Sequence, residues 1–123
     1  MAQATLGGSL SDLFISYTLD IVQHNIERFT GEFLAYLTDN LHVYRAFERE
    51  ALKIVQHGHK HYSARTIIEV LRHQSALKET VGPWKLNDHH TPALARVFAM
   101  VHPQHAGLFE FRKTRQEREA CEA

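Results

Sequence analysis

Cysteine is nearly absent: the chain has one, Cys121, so no intrachain disulfide and no multi-cysteine zinc site is available. A reducing, cytoplasmic setting fits that composition. No apolar run approaches the length needed to cross a bilayer, and residues 1–10 lack the basic start and long apolar centre of a signal peptide, so no membrane partner is expected. Proline and glycine are also scarce, at three and six residues, and no glycine-rich phosphate loop, dinucleotide fingerprint or nucleophile elbow occurs. The commonest nucleotide-binding and hydrolase signatures are thereby missing, and no cofactor is expected. Internal repeats, low-complexity tracts and linkers are missing too. The chain therefore reads as one domain over 1–123, with a flexible start at 1–8 and a charged tail at 113–123.

What is present is ordinary for a globular protein, 44% hydrophobic and 23% charged residues in a chain of 123, enough to enclose one core. Net charge is zero with histidine neutral, but residues 1–40 hold one base, Arg28, against five acids, whereas residues 41–115 hold twelve bases against six acids. That asymmetry fits either a basic face for an anionic partner or two segments packed through mixed surface charge.

Apolar periodicity predicts a single compact α+β domain, mostly α-helical with about five helices and a small two-stranded β element. Leu13, Phe14, Tyr17, Ile21 and Val22 predict a first helix over about 11–28, capped by Ser9 or Ser11. Phe29, Phe33, Leu34 and Leu37 continue the pattern past Gly31 as a short second helix, and Asp39-Asn40 offers a stop and a new cap. The cleanest stripe, Tyr44, Phe47, Ala51, Ile54 and Val55, closes at Gly58. Ser63 caps a helix over about 64–77, with Gly82-Pro83 breaking the chain beyond it. Thr91-Pro92 reads as a helix entrance with the threonine hydroxyl as cap, and His102-Pro103 as its end. Trp84-Lys85-Leu86 and Phe109-Glu110-Phe111 alternate apolar and polar, predicting two short strands that pair.

Ten histidines are the most unusual feature of the composition. His57, His59 and His61 alternate around Gly58 and are the residues that would hold a metal, with His89-His90 and His102/His105 available to complete a site. No His-Glu-x-x-His or Cys-x-x-Cys spacing supports them, and histidines after a helix serve equally as solvated C-terminal caps, so no tightly bound zinc is expected. The stretch Asn87-Asp88-His89-His90 beside Arg96 supplies a carboxylate, imidazoles and a cation, the ingredients of acid–base chemistry, but also of any well-capped loop. The balance leans away from an enzyme, with no catalytic residue assigned. An anionic ligand is instead expected to dock at the start of the helix at 92–102, contacted by Lys85, Asn87, His89, His90, Arg96 and Arg112.

The stretch His61-Tyr62-Ser63-Ala64 before Ile67-Ile68, then Trp84-Lys85-Leu86-Asn87, Thr91-Pro92, Ala95-Arg96-Val97-Phe98, and His102-Pro103-Gln104-His105-Ala106-Gly107-Leu108-Phe109 with Arg112, resembles an uncharacterised family of small bacterial and prophage-borne proteins. The resemblance covers about residues 42–112. Those proteins read aromatic-Lys-Ile-Asn before a run of asparagines and a tyrosine, where this chain has Asp88, His89 and His90. The resemblance implies a shared fold and a mobile-element context, with no activity to carry over.

The leading functional expectation is a small non-enzymatic binding protein acting on nucleic acid or a nucleoprotein complex through its basic C-terminal half. The alternatives are a phage-type inhibitor or adaptor of a host protein complex, and a histidine-based metal-binding protein or small hydrolase. The first forty residues carry more apolar side chains than one helical stripe needs, so a homodimer through residues 11–38 is expected as well.

Overall fold

A computed structural model describes residues 10–78, 84, 86 and 88–110. Five α-helices form it: α1 (Leu10–His24), α2 (Gly31–Asp39), α3 (Leu41–Gln56), α4 (Ala64–Lys78) and α5 (Thr91–Val101), with single 3-10 turns at Ile26–Arg28, Asp88–His90 and Pro103–His105. The helical class read from the sequence holds.

α3 sits at the centre because its apolar residues fall on one face. Val43, Tyr44, Phe47 and Ala51 are all buried, at the four-residue spacing that stacks side chains on one side of a helix. α2 and α4 pack against α3 through Phe33 and Leu37 and through Ile67, Ile68 and Leu71. α5 closes the bundle, contacting α1, α3 and α4, with Leu94, Val97 and Phe98 inside. Phe109 returns beneath them, its ring 5.4 Å from that of Phe47 and 5.5 Å, edge-on, from that of Phe98.

Local chemistry sets the boundaries. The first helix ends at His24 rather than 28: Asn25 leaves helical geometry, its amide donates back to the Ile21 carbonyl, and a 3-10 turn follows. The redirection into α2 is made by extended Phe29 and Thr30, and the Thr30 hydroxyl accepts from the Phe33 N–H as the helix cap. Asn40 separates α2 from α3 but does not cap α3, because its side chain donates to the Tyr36 carbonyl. Gly58 takes a positive φ of 89°, the conformation its place after α3 requires. Ser63 caps α4 as expected, its hydroxyl accepting from the Thr66 N–H.

Two sequence expectations give way. No strand occurs among the described residues: the Trp84 N–H donates to the Ser75 hydroxyl and the Leu86 carbonyl accepts from Arg72, so helix α4 takes the backbone groups a strand ladder would need. Leu108, next to the second proposed strand, instead accepts from the Tyr62 N–H. Thr91 also fails as a cap. The Asp88–His90 turn runs straight into α5, so the residue before the helix is His90, and the Thr91 hydroxyl is buried with no hydrogen-bond partner among the described residues. The expected flexible start at 1–8, the Gly82-Pro83 break and the tail at 113–123 lie outside the described residues.

Candidate interaction surface

Helix α1 packs against α5 and leaves an apolar stripe in solvent. Thr18 and Val22 are its fully buried side chains. Leu10, Leu13, Phe14 and Tyr17, at the i, i+3, i+4, i+7 spacing of one helical face, remain 71%, 58%, 49% and 53% exposed. Of the excess apolar residues noted at 11–38, Phe33 and Leu37 are core and Phe29, Leu34 and Tyr36 pack against it. The surplus is therefore concentrated on α1.

Where this stripe meets α3 and α5 lies a pocket of about 200 Å³, with Phe14, Tyr17, Leu52 and Val101 as apolar walls and Arg45, Arg49, Glu48 and His102 at its edges. The Arg45 guanidinium lies 5.0 Å from the centre of the Phe14 ring, a cation over an aromatic face. Below it, Glu48 is 3% exposed on the apolar side of α3. Arg45 donates to one of its carboxylate oxygens, and the other is 2.8 Å from His102 Nε2 and 3.4 Å from the Tyr44 hydroxyl. Burial opposes charge on Glu48, but the hydrogen bond with His102 and the Arg45 cation outweigh it and hold the carboxyl below its ordinary value. Burial, with the Glu48 carboxylate beside it, pushes the Tyr44 hydroxyl far up.

The polarity of this region is unevenly used. Both Glu48 oxygens are engaged, whereas Arg45 Nε and the Thr18 hydroxyl are buried without hydrogen-bond partners among the described residues. Arg49 is exposed and forms no ion pair among the described residues, and Glu50, next to it in the chain, pairs with Lys53 at 3.2 Å.

Of the six residues expected to bind an anion, the described ones are His89, His90 and Arg96. Lys85, Asn87 and Arg112 lie outside the described residues. His90 turns inward: it is buried, stacked 4.4 Å from the Tyr36 ring and 5.8 Å from that of Phe33. His89 is exposed with its ring 5.5 Å from His90. Asp88 pairs with Arg72 at 3.1 Å. Arg96 alone of the described set reaches the large groove beside α5, about 830 Å³, whose walls include Tyr62, Pro92 and Ala95. Arg65 and His61 enter that groove from the start of α4, and Asp88 and Glu110 line it as well, so its charge is mixed.

The three alternating histidines are not gathered. His57 Nδ1 lies 2.9 Å from the Lys53 carbonyl as part of the α3 C-terminus, and His59 packs edge-on against Tyr62. Among the described residues no three His, Cys, Asp or Glu side chains come together in a way that could hold a metal ion.

Sequence reasoning missed Arg45, Arg49, Glu48 and His102 as a group. A signal for Glu48 was present: it falls four residues after Tyr44 and three before Ala51, an acid within the apolar stripe of α3, where a carboxylate needs partners. No helix among the described residues is long and apolar enough to cross a membrane. No family model, curated protein or solved structure matches the chain.

Proposed function

We propose that this protein is a non-enzymatic protein-binding module whose contact surface is the outer face of α1. The carrying observation is that Leu10, Leu13, Phe14 and Tyr17 form one continuous face left in water by a helix that anchors itself through Thr18 and Val22. Their combined apolar surface is on the order of a few hundred Å², the size at which a patch on a monomer is often functional. Aromatic side chains at the centre of such a patch are the usual energetic anchors of an interface. An inhibitor or adaptor of a host complex, working in the cytoplasm, is the class of role this surface suits, and the prophage-borne resemblance agrees with it.

The basic C-terminal half supports a nucleic-acid partner less well. Arg65 pairs with Glu69 at 3.4 Å, Arg72 with Asp88, and Lys53 with Glu50, so much of its positive charge is met within the protein. The observation that keeps nucleic acid as a second reading is the groove lined by Arg65, in the first turn of α4, and Arg96, midway along α5. A mobility-shift assay at low salt tests it; absence of any shift with DNA or RNA removes it.

Photo-crosslinking inside cells tests the main reading. A photoreactive amino acid at position 13 or 17 should give a discrete adduct, whereas the same group at exposed position 69 on α4 should not. No adduct at 13 and 17, or equal adducts at all three, would remove α1 as the contact surface.

A further inference from the structure

We infer that the partner of the α1 face is an acidic amphipathic segment of another protein, which seats one large apolar side chain in the pocket between α1, α3 and α5 and lays its carboxylates against Arg49. This rests on the docking reading above and adds to it the chemistry of the occupant. Three observations lead to it independently.

The first is size. About 200 Å³ lies below the range of roughly 300–1,000 Å³ typical of small-molecule sites, and its walls of Phe14, Tyr17, Leu52 and Val101 match one buried side chain of an incoming segment. The second is continuity. Phe14 and Tyr17 belong both to this pocket and to the exposed stripe, so a segment lying along Leu10, Leu13 and Tyr17 passes over its mouth. An amphipathic helix presenting residues at i, i+3 or i+4, and i+7 is the form that makes such a contact.

The third is charge. The pocket's lining carries Arg45, Arg49 and His102 against a single acid, Glu48, which is buried with both oxygens engaged by groups of this chain. Of α1's own acids, Asp12 has an interaction of its own and Asp20 lies 3.6 Å from His24 a turn beyond the stripe. Glu50 is taken by Lys53. Arg49 therefore meets an approaching partner as an unneutralised cation, which attracts a carboxylate and disfavours a basic segment.

Selection of a phage-displayed library of random peptides on the whole chain tests this. Enriched peptides should share a large apolar residue with Asp or Glu within one helical turn of it. Binding of the best peptide should weaken about tenfold on Arg49→Glu, with a shallower salt dependence, and be lost on Leu13→Asp. Both substituted side chains are exposed, and circular dichroism of each variant checks that it remains folded. An uncharged or basic consensus, or no enriched peptide, would overturn the proposal. If Leu13→Asp abolishes binding but Arg49→Glu does not, the acidic partner falls while the docking face stands; if neither matters, both fall. A dimer in sedimentation that dissociates on Leu13→Asp would show that a second copy occupies the face, and would also overturn the acidic partner.

Discussion

Replacing Glu48 by glutamine should be among the most damaging single-atom changes available in this protein. The carboxylate is 3% exposed and meets three groups, Arg45, His102 and the Tyr44 hydroxyl. A glutamine amide keeps one acceptor but places N–H donors where a second acceptor stood, facing Arg45 or His102, and leaves the guanidinium without its counter-charge. Removing one member of a buried ion pair costs about 3–5 kcal/mol. Arg45 keeps 17% exposure of its side chain and so recovers some hydration, which lowers the expected loss to about 2–3 kcal/mol. For a chain of this length that corresponds to a fall in Tm of roughly 6–15 °C, readable by circular dichroism. The pH dependence provides the sharper test. Glu48 is held below the ordinary value of 4.5 in the native state, so its contribution is fully present above 4.5 and is lost as pH falls through the lower native value. The gap between the wild type and Glu48→Gln should therefore narrow in acid. A loss below about 1 kcal/mol, the level of an ordinary surface hydrogen bond, would refute the reasoning, as would a gap that stays constant from neutrality to well below 4.5.

Other substitutions should separate packing from surface. Thr91→Val should be neutral or stabilise by up to about 1 kcal/mol in urea titration, because the buried Thr91 hydroxyl has no partner among the described residues and a methyl group fills the same space. Gly58→Ala should cost about 1 kcal/mol or more in the same assay; space is open around it, so the cost comes from its positive φ alone. Leu13→Asp should change stability by less than about 0.5 kcal/mol while removing partner binding, since the side chain is mostly in water. A Tm drop as large as that of Glu48→Gln would instead place Leu13 in the core.

The helices were legible in the sequence wherever one strong stripe met a clear stop. Tyr44, Phe47 and Ala51 ending at Gly58, and Leu94, Phe98 and Val101 ending at His102-Pro103, were read as they stand. Weaker signals failed where a side chain from elsewhere in the chain intervened. Three residues of alternation at 84–86 suggested a strand, but α4 supplies a serine hydroxyl and an arginine that take up the backbone groups first. Thr91-Pro92 suggested a cap, but the preceding loop continues as a 3-10 turn, which removes the open helix end a cap would serve. For the strand, local sequence cannot report such competition, because the competitors lie nine and fourteen residues away.

How much of the proposed contact surface can be read from the sequence is limited for a related reason. The sequence shows an excess of apolar residues before position 40 but cannot tell which of them the core absorbs; α2 buries Phe33 and Leu37, and α1 keeps Leu10, Leu13, Phe14 and Tyr17 outside. A count of basic residues ignores pairing. Arg65 and Arg72 are matched by Glu69 and Asp88, whereas the exposed Arg49 stands unpaired among the described residues beside an apolar pocket. Exposed pairs such as Arg65–Glu69 contribute little to stability, yet they lower the net field a nucleic acid would feel. Arg49 lines the apolar pocket with no ion pair among the described residues. Affinity at such a site should come mainly from the apolar anchor, with the cation selecting which anchored segments are accepted.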